Sequence, residues 1–271
     1  MPELPEVETT RRGITPHIQG HTIARVIVRN ARLRWPVSPE VTSKLPSQVI
    51  TGVERRAKYL FIHTAIGSLI IHLGMSGSLR VTTTDEPPEK HDHIDIIMDD
   101  GNCLRYRDPR RFGCFLWTEQ PTEHHKLIQH LGPEPFNKAF NLNYFHAQAK
   151  TKKTSIKQFI IDGKIVVGVG NIYASEALFL SGIHPKRAAN KVSKKRLSTL
   201  LESIKKILAL AIEQGGTTLK DFVNSEGKPG YFQQTLSVYG RAGKECFNCE
   251  SRIKQITLGQ RSTFYCPRCQ H

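Results

Sequence analysis

The chain has 271 residues, enough for two modest domains with cores of their own, so neither a metal nor a disulfide is needed for the whole to fold. Lys and Arg outnumber Asp and Glu 39 to 24, and the resulting charge of +15 with a pI near 9.7 favours a polyanionic partner over a neutral small molecule. The acidic opening PELPEVE lacks the basic-then-apolar layout of a secretion signal, and no apolar run approaches the roughly twenty residues of a membrane helix. A soluble cytoplasmic protein with no membrane partner is the expectation.

Residues 5–19 read as a helix, with Pro5 in the first turn, Glu6 and Glu8 where the helix dipole favours negative charge, and a stop near Gly20. From His21 to about Trp117, short β-type runs dominate: TIARVIVR, QVITGVE, YLFIHT, LIIHLG, SLRVTT, HIDIIM, CLRYR and FGCFLW, separated by turn signals such as AIGS and DDGN. Consecutive strands without intervening helices predict an antiparallel β-sandwich rather than βαβ units. After the breaks at Pro121 and at Gly132 to Pro135 the pattern turns helical, in LNYFHAQAK, SIKQFIID, NIYASEALFLSG and VSKKRLSTLLESIKKILALAIEQ. The expected architecture is therefore multi-domain α+β. It comprises a β-sandwich domain with its N-terminal helix (2–120), a connector (121–135), a helical domain (136–236) and a short cysteine-bearing tail (237–271).

The tail holds the strongest local signal. Cys246-Phe-Asn-Cys249 and Cys266-Pro-Arg-Cys269 are two CxxC pairs separated by sixteen residues, a spacing by which two tight turns offer four thiolates to one tetrahedral Zn2+. Four sulfurs fill the coordination sphere, so the zinc is structural and leaves no open position for water chemistry. From Arg241 onward six Lys or Arg face only Glu245 and Glu250, which suits a small metal-pinned arm for phosphates. Cys103 and Cys114 lie in apolar strand-like runs without metal spacing and read as ordinary buried cysteines.

At the other end, removal of Met1 would expose Pro2 as a secondary amine. An α-amino group of pKa roughly 8 is partly neutral, and hence nucleophilic, at pH 7. Attack at a sugar C1′ would expel the base and leave an iminium that acidifies the C2′ proton, so one nucleophile serves base removal and strand cleavage. Glu3 beside it is positioned by sequence to shuttle protons. Read without that chemistry, the same seven residues are an acidic helix start.

MPELPEVETTRRG, ERRAKYL, HLGMSGSLR, DPRRFG, VGVGNIYASEALF, GIHP, QGGTTLKDF, GKPGYF and the CxxC pairs occur in this order along the whole chain. Together they resemble the bacterial formamidopyrimidine-DNA glycosylase family, which removes 8-oxoguanine and ring-opened purines and then nicks the strand. The resemblance implies a helix-two-turn-helix in the helical domain, a zinc-bound β-hairpin at the end, and a monomer that binds damaged double-stranded DNA in the cleft between domains. It implies that Pro2 is the Schiff-base nucleophile, Glu3 its acid-base partner and Glu6 a supporting carboxylate. Lys58 would donate a proton in β-elimination. Arg261, in GQRSTFYC, would serve δ-elimination, and since a guanidinium hardly ever gives up its proton, its part is to hold and neutralise a phosphate.

The same resemblance places His91, Lys152, Lys157 and Asn171 near DNA. Asn171 opens a predicted helix, where a side-chain amide and backbone N–H groups can grip phosphate, or where it would simply act as the N-cap. Met75, Arg110 and Phe112 resemble a wedge that fills the void left by a flipped nucleotide; by strand periodicity alone Met75 and Phe112 would be core. Residues Val223 to Phe232 resemble a loop that closes over the flipped base. Two rival readings remain at this level: the endonuclease VIII branch, with the same proline and zinc but a preference for oxidised pyrimidines, and a non-catalytic zinc-ribbon DNA-binding protein. The wedge and the GKPGY segment favour the purine branch.

Overall fold

The structure is a computed structural model that describes residues 2–216 and 236–271. These form two compact units, residues 2–129 with 214–216, and residues 130–213 with 236–271. The expected loop from Val223 to Phe232 lies outside the described residues.

In the first unit, helix α1 (Leu4–Ile18) starts because Glu3 precedes it in extended conformation and its backbone N–H donates to Glu6 Oε2 at 2.7 Å, the return bond of a capping box. It ends where Gln19 N–H reaches back to Thr15 O and Gly20 takes a φ of +87°, a left-handed conformation that glycine adopts without Cβ strain. Two four-stranded antiparallel sheets follow. One contains β1 (Ile23–Val28), β5 (Ser78–Thr83), β6 (Asp92–Met98) and β7 (Asn102–Arg107) in the order β1-β6-β7-β5. The other contains β2 (Gly52–Arg56), β3 (Tyr59–Thr64), β4 (Gly67–His72) and β8 (Cys114–Thr118) in the order β2-β3-β4-β8.

Alternation assigns the core: Leu60 and Ile62 on β3, Leu69 and Ile71 on β4, Ile94, Ile96 and Met98 on β6, and Leu104 and Tyr106 on β7 join one cluster with Val7, Ile14 and Ile18 of α1. On β1 the parity switches, from Ile23 to Val26 and Val28, because a bulge between Ile23 and Arg25 shifts the register. Three strand boundaries differ from expectation by more than a residue; in place of LIIHLG, β4 begins at Gly67, inside the expected AIGS turn, and ends at His72. The run QVITGVE becomes β-structure with β3 only from Gly52, since Val49 bridges Thr22 and Gln48 O accepts from Ile23 N–H, so this stretch serves the end of β1. FGCFLW pairs only from Cys114, because Phe112 and Gly113 lie in the irregular stretch that follows the Pro109-Arg110 turn. A one-turn helix, α2 (Glu40–Ser43), carries no periodic signal and buries only Val41.

In the second unit, α3 (Leu142–Lys150) is capped by Asn141, whose Oδ1 accepts from Tyr144 N–H at 3.0 Å, and α4 (Ile156–Ile161) by Ser155, whose Oγ accepts from Gln158 N–H. Helix α5 (Asn171–Leu180) is buried on every side from Ile172 to Phe179, as a mostly apolar sequence requires, and it takes Ser175 and Glu176 into the interior with it. The long helix α6 (Lys194–Glu213) buries one stripe, Leu197, Leu200, Leu201, Ile204, Leu208 and Ala211. A hairpin of β9 (Lys254–Leu258) and β10 (Arg261–Tyr265) packs Ile253 and Phe264 with Phe179 and Val238. Among the described residues no helix is long and apolar enough to cross a membrane.

Candidate active site

Helix α1 presents the N-terminal group. Pro2 is buried, and Glu3 and Glu6 are each 2% exposed. Gly216, at φ +82°, runs so close that a Cβ there would lie 3.1 Å from both Cγ and Oε1 of Glu6, which explains the second glycine of QGGTTLKDF. Gly215, at φ +73°, has nothing within 4 Å of its own Cβ position.

Lys58 sits in the two-residue turn Ala57-Lys58 between β2 and β3. Ala57 has a φ of +56° and Lys58 does not share it, the pattern of a turn whose first position normally takes glycine. Arg55 ties this turn to α1: its Nε donates to Glu8 Oε2 at 3.1 Å and its Nη1 to the Ala57 carbonyl at 2.9 Å. Burial pushes the Glu8 carboxyl up, but hydrogen bonds from Arg11 and Arg12 and the charges of Arg11 and Arg55 outweigh it and bring the group down to about 2.

A cavity of 610 Å³ lies on the same unit, lined by Arg34, His72, Gly74, Met75, Arg110 and Phe112 among others. Met75 and Phe112 are 38% and 41% exposed, so the core placement that periodicity alone would give them does not hold. Arg110 lies over the Phe112 ring at 4.8 Å. His72 was not singled out from the sequence. Burial, then the charges of Lys58 and Arg34, hold its ring down to about 4. Its Nδ1 accepts from Gly74 N–H at 2.9 Å, so the neutral ring carries its proton on Nε2. His91 is half-buried, and its carbonyl accepts from Asp108 N–H at 3.0 Å.

In the second unit three of the expected residues meet at the hairpin. Lys157 is only 1% exposed and donates to Thr263 Oγ1 at 2.8 Å and Ser262 O at 3.3 Å. A solvated surface lysine is thereby excluded; Lys157 acts within the fold by holding β10. Asn171 is the first residue of α5 rather than its cap, which is Gly170. Its Nδ2 donates to Ser262 O at 2.9 Å and to the Tyr239 hydroxyl at 3.4 Å. Arg261 is exposed at the end of the tight turn Gly259-Gln260, where φ values of +53° and +61° give the twist of a two-residue hairpin. Lys152 follows α3, half-buried, and takes no part in the bonds that join Lys157 and Asn171 to β10.

The four tail cysteines converge as their spacing predicts, with Sγ atoms all within 4.8 Å of one another, Cys246 to Cys269 at 3.9 Å and Cys249 to Cys266 at 3.4 Å. Thiolates on a tetrahedral zinc at about 2.3 Å stand roughly 3.8 Å apart. Backbone N–H groups of Asn248 and Cys269 point at Cys246 Sγ and Cys266 Sγ, both at 3.4 Å, as they must to stabilise bound thiolates. One structural Zn2+ fits this donor set, held by Cys246, Cys249, Cys266 and Cys269. Cys103 and Cys114 are buried free thiols. Glu176, also missed from sequence, is a buried carboxylate on α5 that accepts backbone N–H bonds from Ser237 (2.8 Å), Val238 (3.0 Å) and Tyr239 (2.8 Å). Burial pushes its carboxyl up against the opposing pull of those three bonds.

A pair of β-sheets headed by a buried proline and two carboxylates, a helical unit and a four-cysteine hairpin have the layout of a zinc-finger DNA-repair enzyme. Comparison with known proteins specifies the family. The N-terminal domain of formamidopyrimidine-DNA glycosylase matches residues 1–115, its H2TH domain residues 131–223, and the zinc finger found in FPG and IleRS residues 243–271. The formamidopyrimidine-DNA glycosylase of Photobacterium profundum is 55% identical over 270 residues, covering all of both chains. Among solved structures, Lactococcus lactis Fpg bound to DNA containing an abasic site superposes with a TM-score of 0.91 at 34% identity, covering 99% of each chain. The same protein bound to DNA containing N7-benzyl-Fapy-dG gives 0.92 at 34% identity, covering 100% of each. The chain belongs to the formamidopyrimidine-DNA glycosylase family.

Proposed function

We propose that this protein binds damaged double-stranded DNA as a monomer, excises oxidised purines such as 8-oxoguanine and formamidopyrimidines, and then cleaves the strand at the resulting site. The observation that carries the reading is the head of α1, where Pro2 is buried beside two carboxyls, Glu3 and Glu6, that are themselves 2% exposed and joined through the Glu3 N–H bond to Glu6. Such a pocket keeps an amine desolvated and places proton-transfer groups at hand.

The Pro2 nitrogen attacks C1′, the C1′–base bond breaks with its electron pair leaving on the base, and the departing base takes up a proton. Glu3 serves the ring-opening proton transfer at the sugar oxygen. The iminium that remains acidifies C2′–H; the Glu3 carboxylate or water takes that proton, the C–H pair forms the C2′–C3′ double bond and the C3′–O bond breaks, so the 3′ phosphate leaves with a proton from Lys58 on the hairpin turn, and a second elimination releases the 5′ phosphate. Arg261 neutralises phosphate during that last step, on a hairpin held by Lys157 and Asn171. Met75, Arg110 and Phe112 fill the gap left by the flipped nucleotide. His91 and Lys152 add backbone contacts. This amine chemistry requires a chain that begins at Pro2, because with Met1 attached the nitrogen is an amide.

The test is borohydride trapping with protein shown by mass to begin at Pro2, on a duplex carrying 8-oxoguanine opposite cytosine, with Pro2→Gly and undamaged duplex in parallel. A covalent adduct mapped to residue 2 is expected. Folded, zinc-loaded protein that binds the duplex yet neither traps nor nicks it would overturn the oxidised-purine reading, and an oxidised-pyrimidine duplex would then separate the endonuclease VIII preference from a non-catalytic binder.

A further inference from the structure

The three wedge residues stand on two different loops, Met75 between β4 and β5, and Arg110 and Phe112 between β7 and β8. Their side chains are exposed, so packing alone does not fix where they point. Beneath them lies Asp108, 0% exposed. Its Oδ1 accepts from Ser76 Oγ at 2.7 Å and from Arg110 N–H at 3.2 Å; its Oδ2 accepts from the Tyr106 hydroxyl at 2.9 Å and from Gly113 N–H at 3.0 Å. Its backbone adds the His91 loop, with Asp108 N–H donating to His91 O and Asp108 O accepting from His93 Nε2 at 2.8 Å.

The local turn has a sequence cause. An Asp followed by proline, with its side chain accepting from the N–H two residues on, is an Asx turn, and Arg111 N–H closes it on Asp108 O at 3.2 Å. Arg111 then takes a φ of +56°, which redirects the chain into Phe112. Around the carboxylate the loops leave no slack: a Cβ on Gly113 would stand 1.8 Å from the Tyr106 hydroxyl, one on Gly77 2.7 Å from it, and one on Gly74 2.4 Å from the Phe112 carbonyl carbon.

We infer that Asp108 is a positioning residue for base extrusion, a single buried carboxylate that sets the relative placement of Met75, Arg110 and Phe112 so that they enter the duplex as one rigid body. This rests on the proposed glycosylase reading. A carboxylate is suited to the task because it accepts four bonds and donates none, so each loop presents only donors to it. Asn at the same place would turn one pair of donors toward its own N–H2.

The test uses full-length zinc-loaded protein and Asp108→Asn. Single-turnover excision of 8-oxoguanine opposite cytosine in duplex DNA should fall at least tenfold, and the fluorescence change of a 2-aminopurine next to the lesion should slow in step. Borohydride trapping on a single-stranded abasic oligonucleotide, which has no stack to invade, should stay within threefold of wild type. A loss that is equal on both substrates, or no loss on the duplex, would overturn the inference. If Asp108→Asn fails to fold, Ser76→Ala and Tyr106→Phe each remove one donor and should give the same duplex-selective pattern at two- to fivefold; equal effects on both substrates refute it there too. Wild-type protein inactive on every lesion would instead defeat the functional reading itself.

Discussion

Glu176 offers the sharpest quantitative test of the second unit. Its carboxylate lies on a helix buried on all sides and accepts three backbone N–H bonds from residues 61 to 63 positions away, at the entry to the zinc-binding tail. Glu176→Ala removes every acceptor at once and leaves three donors facing a dry void. At about 1–3 kcal/mol for each stranded group, and with partial relaxation, the loss should be roughly 3–6 kcal/mol, a large part of a domain's total stability. Glu176→Gln keeps Oε1 for Val238 and Tyr239 and strands only Ser237 N–H against its own amide, so about 1–3 kcal/mol is expected. Urea unfolding followed by zinc release to a chromogenic chelator reads the second unit, while amide-exchange protection in β3, β4, β6 and β7 reads the first. Loss in zinc retention should be graded Ala over Gln, with the sandwich unaffected. An Ala variant within 1 kcal/mol of wild type, or a Gln variant as damaged as Ala, would refute the assignment of these bonds as the anchor of the tail.

Glu8 has a folded value of about 2 against an ordinary 4.5, so the folded state binds its proton later than the unfolded one. Its contribution, up to about 3 kcal/mol for this largely buried group, is complete above pH 4.5 and disappears as pH falls toward 2; the stability gap between wild type and Glu8→Gln, measured by thermal unfolding, should be constant from pH 7 to 5 and close below. Gly215→Ala and Gly216→Ala strain the backbone alike, at about 1–2 kcal/mol each, but only the second presses on Glu6. Trapping kinetics should therefore fall much further for Gly216→Ala, and equal rates would show that the close approach has no part in catalysis. Zinc removal should release one equivalent of metal and abolish DNA binding and cleavage together while the sandwich keeps its exchange protection. Unchanged binding after verified removal would exclude the tail as a phosphate-binding arm.

Much of this architecture is written locally. Strand-like runs placed β3, β5, β6 and β7 to within a residue, helical spacing placed α6, and CxxC spacing picked out the metal site, because each depends on neighbours within one or two turns of chain. Family motifs, rather than periodicity, singled out Met75 and Phe112, whose apolar character alone points inward. The misplaced starts of β2 and β8 arise where the chain pairs with something other than its own hairpin.

Local sequence was enough for most strands and helices and for the four zinc ligands, but not for the one-turn helix α2. The partners of the buried polar groups, by contrast, came from the finished fold. Ser76 meets Asp108 across 32 residues, Glu176 the tail across 61 to 63, and Lys157 the hairpin across 105 and 106. No local pattern announces such partners. A buried donor or acceptor must be satisfied by whatever the finished fold brings to it, and that requirement, unlike helix or strand periodicity, has no fixed distance along the chain.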